Sequence, residues 1–286
     1  MRSKSGLLYF RQLGVQVSLQ DAGRVGYAAY GIPESGFMDA VSANRANLLL
    51  GNPVGKACLE FYQGMATMEF TRACQVAFSG APAQISVNTL PYQMQQVITL
   101  QGGDTIEVSV SRSGNWLYMA LAGDWDQPTY FGSKSFYQPI SGRSGFRVGD
   151  EIAFFPKRER ITSKNAYVKP SSFWHPTVIS AYPGPDFELL DLRGQEQLLG
   201  SSFQVTTSIN RMGYQLEGSI SHALPEILSA PVYPGTVQLT PSGRLIVLMR
   251  DAQVTGGYPR VLQLTPRSLA AFSQKRPGEY VSFQLA

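Results

Sequence analysis

The sequence predicts a mainly β protein in two lobes with a few short helices, and three observations carry that expectation. The 286 residues hold 28 glycines, 18 prolines and 14 tyrosines among short apolar runs, a composition of brief strands and frequent turns. Gly103-Asp104 and Gly149-Asp150 each turn the chain into a strand-like run, a pattern of barrels and sandwiches. Residues 156–170 are polar, charged and bounded by prolines, as a linker between lobes would be. The lobes are therefore expected at 1–160 and 161–286. A hydrophobic fraction of 43% with 15% charged residues is that of a folded globular chain, long enough for one large or two modest cores.

The elements follow in order. Residues 7–19 alternate apolar and polar side chains (Val15, Val17, Leu19) around a break at Gly14. A glycine-rich loop then runs to Asp39, an N-cap for a helix over 38–50 that Gly51-Asn52-Pro53 ends. Asn44 and Asn47 are unusual inside so short a helix; either they face water or they point at a group that needs an amide. Short strands are expected at 67–70, 75–78, 84–87, 105–110, 116–120 and 151–155. Beyond the linker come the apolar stretch 187–192, a short helix near 194–199 and a strand-turn segment over 203–218. A buried strand over 245–249 and a closing strand over 280–285 complete the order.

Several function classes fall away. The net charge of +4 is mild, and its basic residues are scattered apart from a solvated cluster, Lys157-Arg158-Glu159-Arg160. Without a basic stripe interleaved with aromatics, nucleic acid is not an expected partner. Two cysteines without framework spacing, Cys58 and Cys74, suit a reducing compartment and read as packed thiols, although Cys58 lies two residues before Glu60. The N-terminus lacks the apolar core of a signal peptide and no run reaches membrane-spanning length, so a cytoplasmic chain with no membrane partner is expected. His175 and His222 have no second ligand at metal spacing, so this chain is expected to hold no metal. There is no P-loop, no dinucleotide glycine fingerprint, no nucleophile elbow and no biotin-accepting lysine turn. ATP or biotin must then come from another polypeptide.

The most informative stretch is D-A-Q-V-T-G-G-Y-P-R over 251–260, which follows the buried strand. Gly256 and Gly257 let a ligand or another backbone approach, and Pro259 biases Tyr258 toward extended structure. A hairpin loop whose Asp and Thr satisfy local amides is the plainer alternative. Near the other end, Q-D-A-G-R-V-G over 20–26 again runs a strand into a glycine turn. Between them lie P-E-S-G-F-M-D (33–39), A-N-L-L-L-G-N-P (46–53), F-S-G-A-P-A (78–83) and F-G-S-K-S (131–135). The second half adds S-I-N-R-M-G-Y-Q-L-E-G (208–218) and P-G-T-V-Q-L-T-P-S-G (234–243). These eight stretches in this order resemble one family, that of the 5-oxoprolinase C-type component, the kinase-inhibitor antagonist KipA, and the second lobe of the urea carboxylase carboxyltransferase domain. Its members also carry the name allophanate hydrolase subunit 2. The resemblance spans residues 14–283 and implies closed, cyclophilin-like β-barrels, which also remove exposed strand edges.

The charged residues on motif positions are Asp21, Arg24, Asp39, Glu60, Arg211 and Asp251; the neutral ones are Gln20, Ser35, Asn47, Gln238 and Thr255, beside Gly256, Gly257 and Tyr258. A carboxylate beside an arginine fork suits a small substrate carrying an amide and a carboxylate. 5-Oxoproline, urea and carboxybiotin all fit. Asp21, Arg24, Arg211 and Asp251 are expected to line the cleft as catalytic groups, and the others to bind substrate. Each has a structural alternative: Asp21 and Arg24 pairing across their turn, Asp39 as a helix cap, Glu60 paired with a distant arginine. Asp251 ends a buried strand, so its charge requires a partner, whether protein or ligand.

The resemblance implies a subunit of an ATP-dependent 5-oxoprolinase, inactive alone, working with a B-type (KipI-like) and an A-type subunit that supply the ATP site. Two alternatives stand beside it: one lobe of a biotin-dependent, urea-type carboxyltransferase, and a non-catalytic antagonist of a kinase inhibitor. Four positions depart from the family pattern: Phe37 where alanine is usual, Val254 and Phe136 where threonine is usual, and Gln215 where a second arginine is common. Val254 removes a hydroxyl and Gln215 a positive charge.

Overall fold

A computed structural model describes residues 5–157 and 176–286. The chain resolves into two compact units, Met1–Gly23 with Asp39–Ser171 and Arg24–Met38 with Ser172–Ala286. The units are not consecutive stretches, because the short segment Arg24–Met38 groups with the C-terminal half. The expected cut at 160/161, most of the 156–170 linker and His175 lie outside the described residues.

In the first unit, β1 (Gly6–Leu13), β4 (Gly64–Phe70), β6 (Ile85–Val87), β7 (Leu90–Tyr92), β9 (Thr105–Val110), β11 (Gly123–Trp125) and β12 (Glu151–Pro156) form one sheet in the order β11-β12-β1-β4-β9-β6-β7. A second sheet runs β2-β3-β10-β5-β8, from Gln16–Gln20, Cys58–Tyr62, Trp116–Leu121, Cys74–Gly80 and Val97–Leu100. Strand alternation supplies the core between them: Leu8, Phe10, Met68 and Phe70 from one sheet meet Val17, Leu59, Phe78 and Leu117 from the other. This unit is two sheets packed face to face, where the family resemblance implied a closed barrel. The chain changes sheet without a long connection between β1 and β2, β3 and β4, and β10 and β11, so neither sheet needs to curl shut. Val15 sits at the first of these corners and is 77% exposed, while Val17 and Leu19 of the same alternating run are buried.

The outer face of the second sheet is covered by α1 (Ala40–Leu49), which lies on β10 and β5. Strand β10 is consequently buried throughout. The helix starts where expected, with Asp39 accepting from the Ser42 N–H. A single helical turn, α2 (Gln138–Ser141), precedes β12.

The second unit is a closed barrel, as the resemblance implied. Its order is β13-β20-β17-β18-β15-β14-β21, from Val178–Pro183, Arg260–Leu264, Thr236–Leu239, Leu245–Leu248, Gly213–Glu217, Phe203–Ile209 and Tyr280–Leu285. The closing pair, β13 with β21, is the parallel one. A separate short antiparallel pair joins β16 (Ala230–Pro231) to β19 (Thr255–Gly256). The stretch 187–192 is a 3-10 turn, Phe187–Leu189, leading into α3 (Leu192–Gly200). A further helix, α4 (Pro266–Ser273), is not among the expected elements, although its cap at Thr265 and the proline in its first turn are ordinary helix-start signals. Its Phe272 meets Tyr214 at 5.5 Å, and the Tyr214 hydroxyl donates to Ser273 O at 2.9 Å. No helix among the described residues is long and apolar enough to cross a membrane.

Candidate functional site

The loop over 251–260 is charged at its two ends and neutral between them. At the near end Arg211 grips Asp251 with two hydrogen bonds, Nε to Oδ2 at 2.7 Å and Nη2 to Oδ1 at 3.1 Å. Nη2 also donates to Gly36 O at 2.7 Å. Both side chains are buried, and the backbones join as well, Asp251 N–H donating to Arg211 O at 2.7 Å. The partner that burial of Asp251 demands is therefore protein.

At the far end Arg260 donates to Asp186 through its backbone N–H (2.8 Å) and its Nε (2.9 Å). Burial alone would raise the Asp186 carboxyl; the side-chain and backbone hydrogen bonds from Arg260 outweigh it and hold the pKa below the ordinary value. A carboxylate depressed in the folded state adds stability above its unfolded pKa and loses it as pH falls through the folded value. Arg260→Gln should therefore be less stable than wild type at pH 7, with the gap closing below about pH 4. Urea midpoints measured from pH 7 to pH 3 check this, and a gap that stays constant across the range would refute it.

The segment 34–36 is tied to the same corner. Ser35 N–H donates to Arg250 O at 2.9 Å, and Glu34 O accepts from Arg24 N–H at 2.6 Å. Ser35 holds a positive φ of 55°, a conformation disfavoured for serine and kept by these ties. Its buried hydroxyl has no hydrogen-bond partner among the described residues.

Beneath the neutral middle of the loop, on the outer wall of the barrel, lies a pocket of about 350 Å³. Three neighbouring strands make its floor. Ile246 of β18 stands opposite Gln215 of β15 on one side and Gln238 of β17 on the other. The flanking Tyr214, Leu216, Val237, Leu239, Leu245 and Val247 are fully buried and alternate with this row, so the row points away from the barrel interior. Gln253 and Tyr258 line the loop side. The carboxamides of Gln215 and Gln253 make no hydrogen bond to the described residues, and Gln238 Nε2 reaches Tyr258 O at 3.4 Å. A Cβ on Gly256 would stand 2.4 Å from Gln238 Nε2, so glycine there keeps the amide in place. Every side chain lining the pocket is uncharged.

In the first unit the predicted residues serve the scaffold. The Asp21 carboxylate accepts from Ser133 Oγ (2.5 Å), Lys134 N–H (2.6 Å), Ser135 Oγ (2.7 Å) and Gly23 N–H (2.9 Å), so the F-G-S-K-S loop is wrapped around it. Gln20 Nε2 donates to Ser18 Oγ and Phe136 O. Asn47 donates to Lys56 O and Cys58 Sγ, and accepts from Asn52 Nδ2. Asn44 accepts from Gly55 N–H, so both helix asparagines hold the next loop. Tyr118 accepts from Asp39 N–H at 2.7 Å and donates to Glu60 Oε2 at 2.8 Å. Burial, with the Glu60 and Asp39 charges, keeps its phenol protonated well above the usual range. Burial likewise raises both thiols, Cys74 to about 12 and Cys58 further, which makes them poor nucleophiles.

Of the four expected catalytic groups, Asp21 belongs to the first unit and Arg24, Arg211 and Asp251 to the second. Arg211 and Asp251 meet each other, and Gln238, Gly256, Gly257 and Tyr258 gather at the pocket. Thr255 is exposed and pairs through its backbone with Pro231. Gln215, marked in the sequence only as a missing arginine, and Gln253 are lining groups that the motifs do not single out. Their signal is a glutamine between two core residues of a strand, and an amide two residues past Asp251. His222 donates through Nε2 to Thr240 O, just past the end of β17, and accepts at Nδ1 from Leu224 N–H. No group of three or more metal-ligating side chains converges among the described residues.

Residues 30–285 match the family described as "Carboxyltransferase domain, subdomain A and B". The chain is 31% identical to the C-type component of 5-oxoprolinase from Escherichia coli, over 97% of its own length and 90% of that protein's. It is 26% identical to urea amidolyase of Lachancea kluyveri over 94% of its length, but spans only 16% of that protein. The crystal structure of TTHA0988 superposes with a TM-score of 0.87 at 28% identity, covering 99% of this chain and 57% of the other. The chain thus spans little more than half of that solved relative.

Proposed function

The chain belongs to the carboxyltransferase-domain subdomain A and B family, and on that premise we propose that it is a subunit of an ATP-dependent 5-oxoprolinase. The observation that carries this reading is collinearity with nearly the whole of the E. coli 5-oxoprolinase component, at 31% identity. The pocket under the 251–260 loop is the place for the cyclic amide. Its carboxamides orient the lactam, while the Arg211–Asp251 and Arg260–Asp186 pairs hold the loop above it. A triphosphate does not fit this lining, which offers it no cation. ATP and its phosphoryl chemistry belong to A-type and B-type partner subunits, and this chain's part is to bind and present the amide.

The family's own description and the likeness to urea amidolyase favour a second reading, a carboxyltransferase lobe that orients a ureido group in the same pocket. Phosphate release on adding 5-oxoproline and ATP to this protein with its candidate partner subunits separates the two. The expected result is stimulated release that vanishes when this chain is omitted. An assembled complex that releases no phosphate would overturn the oxoprolinase reading, and would leave the carboxyltransferase or an inhibitor-binding antagonist in its place.

A further inference from the structure

We propose that the pocket on the barrel wall is a cis-amide site: a small cyclic amide or ureide lies on Ile246 with its adjacent N–H and C=O paired to the carboxamide of Gln215, and any charge on the ligand is left unrecognised. The proposal rests on the reading that this pocket takes the substrate amide, and goes further in stating which feature of the ligand is read.

The row Gln215–Ile246–Gln238 crosses three adjacent strands, so the Cα atoms that carry its two amides are about 10 Å apart with an apolar side chain between them. That interval accepts a small ring flat on Ile246 with an amide at each edge. A primary carboxamide offers a donor and an acceptor side by side. A lactam or cyclic urea presents its N–H and C=O on one edge, so the two groups form a two-bond pair with matching polarity. An open-chain secondary amide is held trans, with N–H and C=O on opposite sides, and cannot make both bonds to one carboxamide.

Gln215 suits this role because its carboxamide makes no hydrogen bond to the described residues. Gln238 is steadied by Tyr258 O, and Gln253 stands at the rim with its amide equally unengaged. The nearby charges are unsuited to a carboxylate ligand. Arg211 is occupied by Asp251 and Gly36 O, and Arg260 by Asp186 and Pro231 O. A carboxylate on the ring would gain no cation from the described residues lining this pocket.

The test is a binding series on the full-length protein, followed by NMR of the side-chain amides. 2-Pyrrolidinone, its N-methyl derivative, N-methylacetamide, 5-oxoproline and 5-oxoprolinamide are the probes. The lactams with N–H should bind, and the acid and carboxamide forms of 5-oxoproline should agree within about threefold. N-methylation should weaken binding by about tenfold or more, and N-methylacetamide should bind no better than the N-methyl lactam. Gln215→Met should weaken the N–H lactams by a similar factor while leaving the N-methyl lactam unchanged, a difference that mere loss of folding would not produce. Gln215→Glu, which removes the donor, should fail in the same way. The proposal is overturned if 5-oxoproline binds about tenfold more tightly than its carboxamide, if N-methylation costs nothing, or if no lactam binds. Reconstituted phosphate release that is unaffected by Gln215→Met would sink this proposal and leave the oxoprolinase reading standing. Lactam binding with the expected pattern, in complexes that never turn over, would do the reverse.

Discussion

Replacing Arg211 with methionine is expected to destabilise the barrel unit by roughly 3–5 kcal/mol, far more than the loss of an exposed ion pair. The reason is what remains behind. Asp251, 8% exposed, would be left buried without the two hydrogen bonds that now satisfy its carboxylate. Gly36 O would also lose its donor, loosening the segment that holds Ser35 at positive φ. The measurement is the urea midpoint followed by intrinsic fluorescence, with Asp251→Leu and the Arg211→Met/Asp251→Leu double variant alongside. The double variant should recover much of the loss, because two apolar groups of similar bulk leave no uncompensated charge. A single-variant loss near the value of an exposed pair, about 0–1 kcal/mol, would mean that solvent reaches Asp251 and that the pair does not frame the loop.

The same pair shows how far the site is legible in the sequence. Asp251 at the end of a buried strand requires a partner, and the structure supplies one in Arg211. A sequence does not say that two such residues satisfy each other. Once they do, their charges are taken up in holding the loop, and the residues between the charged ends are neutral. Gln215 and Gln253 give no propensity signal, since a glutamine on a strand or loop is ordinary; only the cross-strand register places Gln215 beside Ile246. Asn47 and Asp21 show what else a sequence leaves out, the partners of a polar group. Both lie in motifs and both look chemical, yet their polar atoms are engaged by the chain's own backbone and hydroxyls. A buried polar residue must be satisfied somewhere, and the nearest loop is the usual place.

The fold is legible where periodicity is local. The alternation of 105–110 and 280–285 and the Asp39-capped helix appear as expected. Closure is not legible, because the pairing of β13 with β21 joins residues about a hundred positions apart with no local mark. Nor is the grouping of Arg24–Met38 with the second half, which depends on hydrogen bonds such as Ser35 N–H to Arg250 O.

Glycine at the sheet corners is the exception, a local mark with a non-local meaning, and it yields the second large effect. Gly123 opens β11 just after the chain leaves β10, with φ of 148°, and a Cβ there would stand 2.2 Å from Phe155 O. Two separate costs act on Gly123→Ala. The backbone conformation is one that side chains rarely adopt, worth roughly 1–3 kcal/mol. The clash is with backbone rather than a flexible side chain, so β11 must lift from β12, adding roughly 1–3 kcal/mol. Trp125, fully packed in the core two residues later, would be displaced with it. Gly142→Ala provides the control, because its φ is 70° but no atom lies within 4 Å of its Cβ position. That variant should lose only the conformational part, about 1–2 kcal/mol. Thermal and urea unfolding of the two variants decides the matter. Equal losses would show that the corner at Gly123 can yield, and that the close approach of β11 to β12 does not hold the two sheets of this unit in place.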